Sequence, residues 1–196
     1  MQRAHVLRSF LHTCSPSRAP LSKHRTLLPH ITKMAPKTQS QVIYAPSEET
    51  PRGLISVFLA GTTTKVDPTD WREALSASLA DAPVTIYNPH RADWDSSWRE
   101  DINFAPYREQ VEWELEKQDR VDLVVVYFHP ATQAPVSLLE LGLCARVPGK
   151  AVVVCPEGYW KRSNVQVVCR RFGIELVDWV EGLREAVLRR LPAVVL

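Results

Sequence analysis

The stretch from Val121 to Cys144 reads VDLVVVYFHPATQAPVSLLELGLC, and its reading decides the fold. Asp122 to Phe128 is almost wholly apolar, β-branched or aromatic, which fits a strand buried on both faces of a parallel sheet. A polar loop, His129 to Pro135, follows. Ser137 then stands where a helix N-cap is expected, with Glu140 three residues on, the capping-box signature before an apolar run. The stretch therefore predicts strand, loop and helix, with one carboxylate in the first turn of that helix. In open α/β sheets ligands bind at the carboxyl ends of the strands, where this turn lies. Two readings of Glu140 stay open at this point: a cap of its own helix, or a nucleophile or acid in a cleft.

Working outward, Leu54 to Ala60 reads as the first buried strand, closing on Gly61 and a Gly-Thr-Thr-Thr loop. Asp67-Pro68-Thr69-Asp70 starts a helix over Trp71 to Ala80, with Thr69 or Asp70 as its cap. Val84 to Tyr87 is a short second strand ending at Asn88-Pro89. Residues 89 to 102 form a long polar loop holding Trp94 and Trp98, and loops of that length in compact domains are often functional lids. A helix from about Ala105 to Arg120 leads into the strand and helix already read. Lys150 to Cys155 is a fourth strand, Glu157 to Asn164 a loop, Val165 to Phe172 a helix, Ile174 to Val177 a fifth strand, and Trp179 to Arg190 the last helix. Strands alternating with helices predict a doubly wound, flavodoxin-like parallel sheet of five strands in the order 2-1-3-4-5, with helices on both faces. Residues 41–53, punctuated by Pro, read as an extended lead-in to a single domain over 41–196.

The 196 residues carry 24 Lys or Arg against 22 Asp or Glu, but the balance is uneven. Seven of the basic residues and none of the acids lie in residues 1–40, leaving 17 basic against 22 acidic side chains, a net of −5, in residues 41–196. A basic stripe on the folded domain is the footprint of a nucleic-acid binder, so no nucleic-acid partner is expected. The apolar runs are too short for a membrane span. Residues 1 to 40, rich in Arg, Ser, His and Pro, are expected to be a disordered extension with the composition of a mitochondrial transit peptide. Met34, opening MAPKTQS, would serve equally as the start of a cytoplasmic protein. Cys14, Cys144, Cys155 and Cys169 form no C-x-x-C pair and no cluster with His, so neither a metal site nor a disulfide framework is expected.

Each further candidate has a plain alternative. Gly61 is either a tight turn or a backbone that a ligand approaches closely. No G-x-G-x-x-G follows the first strand, so no dinucleotide cofactor is expected. Glu109, Glu112, Glu114 and Glu116 share one helix and read mostly as a solvated face, Glu114 being the one near the cleft. Asn88, His90 and Arg91 sit at the carboxyl end of strand two. Trp94 and Trp98 are either lid packing or flat faces on which a base stacks. Asn164 is a natural N-cap, at the same sheet edge as Glu140. His90 and His129 lack a Ser or Cys partner at a motif spacing, so a hydrolytic triad is poorly supported.

In order along the chain, FLAG at Phe58 to Gly61, Asp70-Trp71-Arg72, Asn88-Pro89 with its Trp-bearing loop, Val111-Glu112-Trp113-Glu114, Asp122 opening an apolar strand, Leu139-Glu140-Leu141-Gly142 and Asn164 resemble the nucleoside 2-deoxyribosyltransferase superfamily. The match is nearest to its deoxyribosyltransferase-like branch, common in fungi, and covers about residues 52 to 180. The resemblance implies that Glu140 attacks the anomeric carbon and forms a covalent glycosyl-enzyme. It implies that Glu114 binds and protonates the leaving base, and that Asn164 contacts the sugar, often from a neighbouring subunit, in a homo-oligomer. The substrate would be a nucleoside or nucleotide, contacted also by Gly61, Asn88, Arg91 and Trp94, with no cofactor and no metal. Two positions depart from the family pattern. Ala134 stands where the transferases carry an acid that holds a sugar hydroxyl, and Val57 where a tyrosine of strand one orients the nucleophile.

The implied chemistry is coherent. A carboxylate nucleophile divides glycosidic exchange into two displacements, each through an oxocarbenium-like state, and a second carboxylate kept protonated by burial donates to the leaving nitrogen. Transfer to a second base and hydrolysis by water are both open. A non-catalytic module binding a nucleotide-like ligand on the same fold is the alternative function. A flavin carrier is disfavoured, because no phosphate-cradling loop follows strand one beyond Gly61-Thr62-Thr63-Thr64.

Overall fold

A computed structural model describes residues 39–63 and 66–193. The N-terminal extension expected over 1–40 lies outside them except for its last two residues. In chain order the elements are β1 (Gln41–Tyr44), β2 (Ile55–Gly61), α1 (Trp71–Ser78), β3 (Val84–Asn88), α2 (Ala105–Arg120), β4 (Leu123–Tyr127), α3 (Pro135–Cys144), β5 (Ala151–Val154), α4 (Arg162–Phe172), β6 (Glu175–Val177), a 3₁₀ turn (Val180–Gly182) and α5 (Leu183–Leu188).

The sheet is parallel throughout and flavodoxin-like in class, but it has six strands in the order β1-β3-β2-β4-β5-β6. The expectation of five strands and their order is corrected at one edge. Gln41–Tyr44, read as a lead-in, pairs in parallel with Thr85–Asn88. Its four residues alternate between buried and half-exposed, the signature of a strand with one face on the core. Gln41 is buried yet satisfied, donating to Glu49 and Thr50 and accepting from the Arg52 amide.

β4 shows why its sequence is an unbroken apolar run. Val124, Val126 and Phe128 pack with Trp113 of α2, Leu141 and Cys144 of α3 and Val165 and Cys169 of α4 on one face. Leu123, Val125 and Tyr127 pack with Trp71 and Leu75 of α1 and Leu183, Ala186 and Val187 of α5 on the other. Alternate side chains enter two separate cores, so no position can be polar. Each fully buried aliphatic side chain stabilises this arrangement by roughly 1.5–3 kcal/mol relative to exposure.

The start of α1 is as expected, and two later helix boundaries differ from expectation. α1 begins after Asp70, whose Oδ1 accepts from the Arg72 amide at 2.8 Å, as a cap should. α4 begins at Arg162, earlier than expected, so Asn164 lies within its first turn and Lys161 takes the cap position. The last helix is broken into the 3₁₀ turn and α5 at Gly182, where a Cβ would meet Val177 Cγ1 at 2.5 Å. Among the described residues no helix is long and apolar enough to cross a membrane.

Candidate functional site

A cleft of about 420 Å³ opens at the carboxyl ends of β2 and β4. Gly61, Thr62 and Thr63 form its floor, Ala131 to Ala134 one wall and Pro89 the rim; Glu114 and Glu140 face each other across it from α2 and α3.

α3 starts differently from the capping box that its sequence suggests. Ala134 is left-handed (φ 44°, ψ 55°) and Pro135 occupies the first helical position, where its missing N–H costs nothing. Ser137 is therefore inside the first turn, buried against the cleft, and Glu140 falls one turn further in. The expectation that Ser137 caps the helix and that Glu140 lies in its first turn is corrected. The physical reason is that Pro at the first position and a bend before it fix the start more firmly than a serine two residues on. Released from capping, the Glu140 carboxylate points to α2, where Oε1 accepts from Gln118 Nε2 at 2.9 Å.

Burial pushes Glu140 up to about 8, with the neighbouring Glu114 charge adding to it; Arg72, Gln118 and the Gly61 backbone act against it. Glu114 is also raised, by burial first, while Gln110 and Arg72 oppose the shift. Its Oε1 accepts from Gln110 Nε2 at 2.7 Å. Two carboxyl groups, each desolvated, each accepting from a glutamine of α2 and each acted on by Arg72, thus share one pocket.

Arg72 lies buried under the floor. Its Nη2 donates to Gly61 O at 3.2 Å and Thr62 O at 2.8 Å, its Nη1 faces Asp70, and its guanidinium lies 5.0 Å from the Trp71 ring. Desolvation lowers its proton affinity, and Asp70, Glu140 and Glu114 restore part of it. Gly61 has φ 124°, and a Cβ there would sit 2.4 Å from Tyr127 O. Glycine is therefore required both by the dihedral and by the close approach of two strands.

The remaining expected residues lie apart from the cleft lining. Asn88 is fully buried, its Nδ2 donating to Glu73 at 3.0 Å and its Oδ1 accepting from the His90 amide at 3.0 Å. Arg91 pairs with Asp93 at 2.8 Å and Glu109 at 2.7 Å and covers the Trp98 ring. Trp94 is half-exposed and packs at a tilt against Trp98 with centroids 5.0 Å apart. Asn164 is exposed on α4. Val57 packs with α1 and α5 on the face of the sheet away from Glu140, so no side chain at that position orients it.

Gln110, Gln118, Ser137 and Arg72 were not singled out as site residues from sequence. The signal for the glutamines is spacing: Gln110, Glu114 and Gln118 recur every fourth residue along α2, which puts them on one face. Arg72 stands in the Asp70-Trp71-Arg72 motif of the family resemblance, but nothing in its spacing marks the arginine as buried. Among the described residues no three His, Cys, Asp or Glu side chains converge as metal ligands. Cys144, Cys155 and Cys169 are buried free thiols, each pushed up to about 11 by burial.

The family described as "Nucleoside 2-deoxyribosyltransferase like" matches residues 54–159, more than half of the chain and all of the cleft. No curated protein matches it significantly. Among solved structures, a conserved protein from Enterococcus faecalis is similar at a TM-score of 0.48 and 17% identity, covering 70% of this chain and 99% of that one.

Proposed function

Because the chain belongs to the nucleoside 2-deoxyribosyltransferase-like family, we propose that it cleaves or exchanges the N-glycosidic bond of a nucleoside or nucleotide in the cleft between Glu140 and Glu114. One observation carries this reading: two carboxyl groups, from two different helices, converge on a single cleft with their proton affinities raised by burial.

A Glu140 carboxylate oxygen attacks the anomeric carbon, the bond from that carbon to the base nitrogen breaks, and its electron pair leaves on the base. The Glu114 carboxyl proton goes to that nitrogen. In the second half, the nitrogen of an acceptor base or a water oxygen displaces Glu140 from the anomeric carbon and returns its proton to Glu114. The active form has Glu140 ionised and Glu114 protonated. In the free site Glu140 is the group pushed up to about 8, so this form is a minor arrangement of the one proton the pair holds at neutral pH, and turnover falls as pH rises above about 8, where that proton is lost.

A second reading is a non-catalytic module that binds a nucleotide-like ligand. Ala134, in place of an acid able to hold a sugar hydroxyl, favours it.

A homo-oligomer belongs to the same proposal. The outer face of α3 and the turn after it, from Val136 through Leu139 and Leu143 to Val147, is exposed and apolar at helical spacing. Such a face, on the helix that carries Glu140, suits burial against a second copy. Asn164 would reach a neighbour's cleft from its exposed place on α4. A monomer by light scattering removes this part.

The test is incubation of the full chain with 2′-deoxynucleosides and their 5′-monophosphates, with and without a free acceptor base, followed by chromatography with Glu140→Ala as control. Free base released by the wild type alone supports glycosidic chemistry at Glu140, and an exchanged nucleoside separates transfer from hydrolysis. Saturable binding by calorimetry without product supports the binding module.

A further inference from the structure

We propose that Gln118 is a positioning residue for Glu140, fixing Oε1 through its Nε2–H so that Oε2 is the oxygen offered to the cleft. The proposal rests on the role given to Glu140 above.

Three observations support it. First, Gln118 is buried, and its Nε2 makes the only side-chain hydrogen bond that Glu140 receives from the described residues, at 2.9 Å. Oε2 receives none. Second, β2 offers no substitute. Its Val57 side chain packs on the opposite face of the sheet, and Phe58 and Ala60, which face α2 and α3, carry no polar atom. Third, the other amide atom of Gln118, Oε1, is buried with no hydrogen-bond partner among the described residues. A buried amide acceptor left open beside a carboxyl is costly unless that carboxyl can donate to it in its protonated form. Gln118 is thus arranged to hold Glu140 both ionised, through Nε2–H, and protonated, through Oε1.

The same helix repeats the device one step away. Gln110 Nε2 donates to Glu114 Oε1 at 2.7 Å and to Pro89 O at 2.9 Å, tying that carboxyl to the rim of the cleft. Gln110, Glu114 and Gln118 lie at four-residue intervals, so the rise of α2 sets the spacing between the proton donor and the holder of the nucleophile, about 6 Å along the axis. The charged or titratable groups that face Glu140 are Glu114 from α2 and Arg72 from α1, with Cys144 one turn along its own helix. Gln118 is the neutral side chain of that surround in direct contact with the carboxyl.

The experiment compares the wild type with Gln118→Met, nearly isosteric and without an amide, and Gln118→Glu. The carboxyl titration of Glu140 is followed by ¹³C NMR, assigned with Glu140→Gln, and is independent of any activity. Loss of a donor to the ionised carboxyl raises its midpoint by about one pH unit in Gln118→Met, and a second carboxyl raises it further in Gln118→Glu. In the active enzyme, kcat of Gln118→Met falls on the order of tenfold with KM within about twofold, and the falling limb of the pH profile moves to higher pH. A Glu140 midpoint that stays in place in both folded variants, or an unchanged kcat, overturns the proposal. A wild type without glycosidic activity overturns the reading of the cleft instead, and the titration still reports on Gln118.

Discussion

Two loops leave the same edge of the sheet, and they differ in what holds them. The loop after β4, residues 128–134, is tied to its neighbours through polar atoms. The His129 amide donates to Thr62 Oγ1 at 3.0 Å, and the Gln133 carbonyl accepts from Tyr159 Oη at 2.7 Å and from Trp160 Nε1 at 3.0 Å. This loop builds a wall of the cleft. The loop after β3, residues 89–104, is longer and far more aromatic, yet contributes only Pro89 to the lining. Its rings pack on one another, Trp94 on Trp98 and Trp98 on Phe104, with Arg91 laid over Trp98. Aromatic content invites a reading as a stacking platform, but these rings pack on one another away from the cleft lining. A wall is made where backbone carbonyls and amides are claimed by side chains from other elements.

The strongest way to sharpen that contrast is to remove the carboxyl of Glu114, the proposed proton donor opposite the wall. Glu114→Gln is expected to lower kcat/KM by about 10²- to 10⁴-fold, the usual worth of a general acid, measured on whichever deoxynucleoside the wild type cleaves. A loss under threefold would mean that the two carboxyls do not act together.

Next in size is the effect of pH on the fold. The folded chain raises Glu140 from 4.5 to about 8, so between those values the folded state holds a proton that the unfolded state has released. Stability contributed by this group is therefore full below about 4.5 and is lost as pH rises through about 8. Glu140→Gln abolishes the dependence, and urea unfolding at pH 9 should find it more stable than the wild type by on the order of 3 kcal/mol, with the difference gone at pH 4. A constant difference across pH would remove the buried titration.

Smaller is the cost of loosening the wall itself. Tyr159→Phe deletes one of the two hydrogen bonds to the Gln133 carbonyl and is expected to destabilise the chain by about 1 kcal/mol, with a rise in KM; thermal unfolding and steady-state kinetics check the two halves. The smallest effect is expected from the other loop. Trp94→Ala should leave KM within about twofold, since truncation of a half-exposed ring outside a site removes no ligand contact. A tenfold rise would show that the aromatic loop closes over the ligand, and the contrast between the loops would fall.

How much of this was legible in the sequence depends on whether the signal is local. The interior strands announce themselves, because a strand buried on both faces must be apolar at every position, as at Val124 to Val126. β1 did not, because QVIY is half-buried, only four residues long and followed by a Pro-punctuated segment; its strand character comes from β3 beside it. Both carboxyls of the cleft were found, but their partners were not. Gln118 matters through Glu140, 22 positions away, and Arg72 through carbonyls 10 and 11 positions away. Sequence neighbours carry no trace of such pairings. Asn88 and Arg91 were placed at the correct edge, where their side chains serve Glu73, Asp93 and Glu109 within the chain itself.

The bend before α3 has an evolutionary consequence. A left-handed backbone is costly for alanine, by roughly 1–2 kcal/mol, and far easier for glycine, asparagine or aspartate. At Ala134 the chain keeps a backbone shape that suits an acid and carries a side chain that does not. Ala134→Asp is therefore a substitution the fold is already shaped to accept, and it would set a carboxylate on the cleft wall. A single codon separates the present pocket from one with a third acid, and lineages could cross that step in either direction without first rebuilding the loop.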